Sequence, residues 1–274
     1  MVKPDGRQLD LFVALIGDIP TRDQRETMER PFFSLQKTPR TTPIDYKAGN
    51  VWVKVIPHPE FGMATIWDAD ILIWAASQIT LAKNKGLEIS RTLRVRPYEL
   101  LKAIHREPGG RQYQLLKEAL ARLKTTTITT SIRADKKKGA MFSWIDEWEY
   151  EEDEEGRPVW INIELSKWLF DGIVVRGGVL KIADTYFDLT GGLERWLYRV
   201  ARKHGGYQPD GWRFSMAQLH QKSGSTREVR KFAAEIREII ARNDLPEYAL
   251  ELVTLENGEE GVQVCRRKGH RSVD

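Results

Sequence analysis

The sequence predicts an α+β chain built as two tandem winged-helix domains, each a helix-turn-helix followed by a β-hairpin. Three observations predict it. Two well-separated segments each read as a short helix, a tight turn, an amphipathic helix with a basic outer face, and a hairpin. The second of them carries two capping-box spellings, Ser215-Met216-Ala217-Gln218 and Ser225-Thr226-Arg227-Glu228. In that box a Ser hydroxyl and a Glu or Gln three residues later satisfy each other's free backbone N–H groups. Finally, charge is segregated. Residues 109–139 hold eight Lys/Arg against two Asp/Glu, and residues 201–242 hold nine against four. Residues 146–155 hold eight acids and no base, so the modest net charge of +4 conceals two basic segments. Local basic surface attracts a polyanion, and phosphate contacts dominate nucleic-acid affinity.

With 274 residues, 41% hydrophobic and 9% aromatic, the chain is long enough for two globular domains. No apolar run approaches the ~18 residues of a membrane span, and the stretch 69–82 is interrupted by Asp70, Ser77, Gln78 and Thr80. The start of the chain lacks a signal-peptide pattern, and Cys265 is the single cysteine. A reducing, cytoplasmic setting without membrane association is expected.

Residues 1–50 are read as a lead-in, with 8–16 a short helix or strand, 22–28 helical, and 38–43 irregular because of Pro39 and Pro43. The first winged helix is expected over 51–172. Val51-Trp52-Val53-Lys54-Val55-Ile56 is a β-branched strand, and Asp68 caps a nearly all-apolar helix. A strand at 92–96 precedes a helix opened by Pro97, and Pro108-Gly109-Gly110 makes the turn. The next helix, 111–124, places Leu115, Leu116, Ala119, Leu120 and Leu123 inside. Arg111, Gln114, Lys117, Glu118, Ala121 and Arg122 face outward; Arg111, Gln114, Lys117 and Arg122 are the candidate DNA contacts, and Glu118 opposes phosphate. Thr- and Ile-rich 125–133 and 140–150 are expected to pair as the wing, with Lys136, Lys137 and Lys138 at its tip as candidate phosphate contacts. An acidic loop over 151–156 and a strand at 159–163 follow.

A strand-rich connector is expected at 173–189 and the second winged helix at 190–274. Its first helix, 193–204, stops at Gly205-Gly206. The helix expected from Thr226 to about Asn243 has a core stripe of Val229, Phe232, Ala233, Ile236, Ile239 and Ile240. At ~100° per residue, Arg227, Arg230, Lys231, Ala234 and Arg237 fall on the far side. Thr226, Arg227, Arg230, Lys231 and Arg237 are therefore the candidate DNA-binding residues of this unit, and small Ala234 lets the helix approach a groove. Strands flanking Asn257-Gly258 form the second wing.

Several strings also carry a resemblance. Arg22-Asp23-Gln24-Arg25-Glu26-Thr27-Met28-Glu29-Arg30-Pro31-Phe32-Phe33-Ser34-Leu35, Thr41-Thr42-Pro43-Ile44-Asp45-Tyr46 and Gly62-Met63-Ala64-Thr65-Ile66-Trp67-Asp68-Ala69-Asp70 resemble the plasmid replication initiator protein A family. So do Tyr186-Phe187-Asp188-Leu189-Thr190 and Leu193-Glu194-Arg195-Trp196-Leu197-Tyr198-Arg199. The resemblance implies a bacterial plasmid protein with two winged helices. It would bind repeats in double-stranded origin DNA, open nearby duplex and recruit a host helicase or initiator. A homodimer through the first winged helix is a use known among similar initiators. The resemblance supplies no catalytic residue.

Chemistry signals are poor. There is no Gly-rich phosphate loop. His58, His105, His204, His220 and His270 show no metal-ligand spacing, and no His-x-His pair suits a metal-dependent relaxase. No enzyme activity, metal or cofactor is expected. The competing readings are a transcriptional repressor with the same domains and, behind it, a DNA-nicking relaxase. Cys265 is read as a structural thiol, and Trp196 and Trp212 as core residues.

Overall fold

In a computed structural model, residues 11–134, 139–206, 208 and 210–267 are described. Strands β1 (Leu11–Val13), β2 (Arg22–Gln24), β3 (Ile44–Ala48) and β4 (Val51–Ile56) precede helix α1 (Ala69–Asn84). Then come β5 (Thr92–Val95), α2 (Pro97–Ala103), α3 (Gly110–Thr125), β6 (Thr127–Thr130), β7 (Ala140–Phe142), β8 (Ile145–Glu152), β9 (Pro158–Leu165) and α4 (Lys167–Val174). The last third holds β10 (Val179–Lys181), α5 (Gly192–Gly205), β11 (Trp212–Ser215), α6 (Met216–Ser223), α7 (Val229–Arg242), β12 (Tyr248–Thr254) and β13 (Glu260–Arg266). The fold is mixed α+β.

Helices α2 and α3 pack on the sheet β1-β5-β9-β8, in which β5 lies between parallel β1 and antiparallel β9, while α1 packs against β2, α4 and α2. The hairpin that pairs with β5 is therefore β8–β9. The β6–β7 hairpin, read from the sequence as the wing, belongs to a different sheet, β3-β4-β6-β7. The cause is Trp144. The expected single strand 140–150 breaks there, because the indole is fully buried and its backbone N–H donates to Leu123 O at 3.2 Å. It stacks on Phe33 with ring centroids 4.6 Å apart. The chain thus leaves one sheet at Phe142 and enters the other at Ile145. The consequence is a change of charge. The turn of the hairpin that joins β5 is the acidic Asp153-Glu154-Glu155, not the basic tip.

The second unit follows the same order. The sheet β11-β13-β12 packs with α5, α6 and α7. Its hairpin closes at Asn257-Gly258 with Gly258 at φ +79°, as its sequence requires. Strand β11, unexpected from the sequence, pairs with β13 from Trp212↔Val264 to Ser215↔Gly261.

The segment read as a lead-in is woven into the core. Residues 22–28 form a strand and a 3-10 turn rather than a helix, and β2 pairs with β10 of the expected connector. Met28, Phe32 and Phe33 are buried, and one hydrophobic cluster runs from Phe12 through Val264. The connector itself contains the end of α4, the short β10 and a 3-10 turn at Asp184–Asp188.

Candidate nucleic-acid interface

In the second unit, α6 opens as its sequence spells. Ser215 Oγ accepts from Gln218 N at 3.1 Å, and Gln218 Oε1 accepts from Ser215 N at 3.0 Å. Gly224 closes α6 at φ +63°, where a Cβ would also stand 2.6 Å from Pro31 Cβ. Only glycine satisfies both the left-handed backbone and the close approach. The second capping box does not form. Ser225 Oγ instead accepts from Arg227 N at 3.2 Å, and α7 begins at Val229, with Glu228 as an N-cap that makes no side-chain bond. Thr226 and Arg227 thus lie in the turn, both exposed, rather than in the helix.

Helix α7 buries Phe232, Ala233, Ile236 and Ile239, with Ile240 packed beside them. Val229 is 47% exposed, not in the core stripe, because α7 starts where it stands. The outer face presents Arg230, Lys231, Ala234 and Arg237. Arg230 has no ion-pair partner among the described residues, and Lys231 stands 4.0 Å from Glu228. Arg227 pairs with Glu235 across the first turn of α7. Arg237 grips Glu260 at the start of β13 with two guanidinium nitrogens, at 3.0 and 2.7 Å, and so ties α7 to its hairpin. Asn243, at φ +47°, ends α7, and its Oδ1 accepts from Leu250 N at 3.0 Å.

The first unit is built differently. Arg111 on α3 is exposed, and Gln114 donates to Glu118 at 3.1 Å. Lys117 is held by Glu152 at 2.8 Å and lies 4.0 Å from the centre of the Tyr150 ring. That hydrogen bond raises the Lys117 pKa above the ordinary lysine value. Arg122 donates twice, at 2.8 Å each, to the buried Asp68 carboxylate. Asp68 sits at the head of α1 but makes no cap bond to that helix. Its carboxylate accepts from Thr65 N and Arg122 instead. Arg111 and Gln114 are left as the outward polar groups at the start of α3. Lys136, Lys137 and Lys138 lie outside the described residues.

Other charges, which the sequence reading did not single out, join the two units. Arg195 on α5 donates to Asp70 on α1 at 2.6 Å, and Arg106 reaches the other Asp70 oxygen at 3.0 Å. Arg199 donates to both oxygens of Asp23 and to Thr27 Oγ1. Glu29 accepts from Lys203, His204 and Lys222 at 2.7–2.8 Å and pairs with Arg30 at 2.9 Å. Burial alone would push its carboxyl up, but His204 and Lys203 hold it far below the usual carboxylate range. A signal existed: Arg195, Arg199 and Arg202 recur at helical spacing and so share one face of α5, all three buried.

The four histidines among the described residues each make a hydrogen bond, and His270 lies outside them. His58 Nδ1 accepts from backbone N–H groups, His105 lies between two carboxylates, His204 meets Glu29, and His220 meets Arg227 O at 2.6 Å. Among the described residues no three His, Cys, Asp or Glu side chains are grouped to hold a metal ion, and no helix is long and apolar enough to cross a membrane. Trp196 is buried as expected, whereas Trp212, on edge strand β11, is 41% exposed.

A family model described as Replication initiator protein A matches residues 22–250. The chain is 34% identical over 232 residues to a "Putative replication protein" of Wigglesworthia glossinidia brevipalpis, covering 83% of each. It is also similar to a crystal structure of domains 2 and 3 of RctB, with a TM-score of 0.63 at 11% identity over 87% of this chain and 96% of that one. A second structure of RctB domains 2–3 gives a TM-score of 0.54 at 12% identity, over 88% and 95%. At such identities the likeness is one of fold alone.

Proposed function

The chain belongs to the replication initiator protein A family, and from that premise we propose that it is a non-enzymatic initiator that binds repeats in duplex origin DNA. Binding there promotes local opening and recruits host replication proteins. In this reading both units are winged helices, divided near residues 172 and 190, and the second is the principal DNA reader. The observation that carries it is the outer face of α7. Arg230 projects without a carboxylate partner, beside Lys231 and small Ala234, on a helix fixed by a capped α6 and a glycine turn. The N-terminal part of such a helix meets base edges in the major groove, where an Arg can bond guanine twice.

In the first unit, two of the three predicted cations on α3 are already engaged. Lys117 and Arg122 are committed to Glu152 and Asp68, and its hairpin turn is acidic. That observation favours a homodimer contact for this unit over base readout, with Arg111 and Gln114 as its remaining outward polar groups.

The test has three arms. A replicon whose only initiator gene encodes this chain should be maintained, and should disappear when the gene is deleted. A repressor would leave maintenance unaffected. Supercoiled origin plasmid with magnesium should stay supercoiled, whereas a relaxase would relax it. In binding assays Arg230→Ala should cost ~1–3 kcal/mol on the repeat and much less on scrambled duplex. Equal losses on both would remove the readout role.

A further inference from the structure

The sheet β3-β4-β6-β7 belongs to neither helix-turn-helix, yet its edge strand β3 abuts the second one. Gln221, at the end of α6, donates to Lys47 O at 3.0 Å. Arg40 Nη1 donates to Gly224 O in the turn at 2.7 Å. Side chains in this sheet alternate cleanly. Ile44, Tyr46, Val53, Val55 and Ile128 are buried, and Asp45, Lys47, Lys54, Ile56 and Met141 are exposed on the other face. Asp45 is the one acid in these four strands. Neither Lys47 nor Lys54 has an ion-pair partner among the described residues. Arg40 bonds to three carbonyls, those of Thr42, Pro43 and Gly224, and to no carboxylate, so its charge is uncompensated beside the turn that leads into α7. Asp45 stands across from Lys54 in the ladder, yet Lys47, Lys54 and Arg40 outnumber it, and this net positive surface running to the start of α7 matches the backbone of a duplex.

We propose that the outer face of this sheet, through Lys47 and Lys54, contacts the phosphates of the duplex flanking the site held by α7. This rests on the reading of α7 as the groove-binding helix. Such contacts add affinity and register rather than sequence readout.

The test uses the full chain and a duplex selected by it from a random-sequence pool. One probe carries the selected sequence alone; another adds flanking duplex of arbitrary sequence on both sides. The double variant Lys47→Gln/Lys54→Gln should lower the slope of log affinity against log salt by about 0.9 for each phosphate no longer neutralised on the flanked probe. On the short probe the slope should not change. Matching far-UV circular dichroism and thermal unfolding would show that the exposed substitutions leave the fold intact. An unchanged slope on the flanked probe overturns the proposal, as does an equal fall on both probes. Arg230→Ala separates the two readings. It should weaken both probes if α7 reads the groove, whatever the lysine pair does. If it weakens neither, the α7 reading fails on its own account.

Discussion

Arg195 Nη1 lies 2.6 Å from Asp70 Oδ1, with both side chains sealed from solvent and 125 residues apart in the chain. This pair ties the first helix of the second unit to the first helix of the first. Arg195 also donates to the carbonyls of Leu189 and Phe187, and Arg106 supplies a second charge to Asp70, so every charged group here is hydrogen-bonded. A buried pair of this kind need not add stability over an apolar pair, but removing one partner strands the other.

Arg195→Ala should therefore destabilise the chain by about 3–5 kcal/mol, since it leaves the Asp70 charge short of its closest partner. Urea unfolding of wild type and variant measures this. Arg195→Ala with Asp70→Leu should recover much of the loss. Additive losses in the double variant would show that the pair is not coupled.

His105 ends α2 in a left-handed conformation, φ +56°, with Nδ1 2.7 Å from Asp188 and Nε2 2.9 Å from Asp184. Each ring nitrogen faces a carboxylate oxygen, an arrangement that the doubly donating imidazolium form satisfies. Burial works against that charge, but the hydrogen bond to Asp188 and the charges of Asp184 and Asp188 outweigh it and raise the pKa above 6.5. A raised folded-state pKa contributes stability that is fully present below the unfolded pKa and is lost as pH rises through the folded one. The stability difference between wild type and His105→Gln should be largest below pH about 6.5 and shrink steadily above it. A difference that stays flat from pH 5.5 to 8.5 would discard the clamp.

Arg122 looks outward on a helical wheel, yet its guanidinium closes on Asp68. Arg122→Ala should cost about 3 kcal/mol of stability, because Asp68 stays buried without its cation. Under conditions where the variant is folded, its preference for the repeat over scrambled duplex should match wild type. A selective loss of preference would restore Arg122 to the interface.

In sequence, Lys136-Lys137-Lys138 fall between β6 and β7, two strands of the sheet proposed to flank the duplex. Changing all three to Gln should flatten the salt slope by roughly 0.9 for each phosphate that the tip neutralises. An unaltered slope, with DNA affinity retained, assigns the tip to solvent or to a protein partner.

Much of this was legible locally. Capping residues, Pro97, Gly224 and Asn257-Gly258 mark α6, α2 and the second hairpin, because each acts on backbone within a few residues. Hydrophobic spacing found the buried faces of α3 and α7. The second capping box failed for a reason equally local: Ser225 had a nearer donor in Arg227 N.

The amino-acid sequence by itself determined most of the helices, the order of helix, turn, helix and hairpin, and the basic character of two segments, but not the strand at 22–24 or β11, whose pairing partners lie far along the chain. Tertiary structure alone decided which hairpin joins which sheet, because burial of Trp144 breaks a continuous β-prone run. It also decided which cations remain free. Lys117, Arg122, Arg195 and Arg199 are spelled like Arg230, but carboxylates from distant segments claim them. A charge's partner is set by contacts across the fold, and no local spacing encodes it.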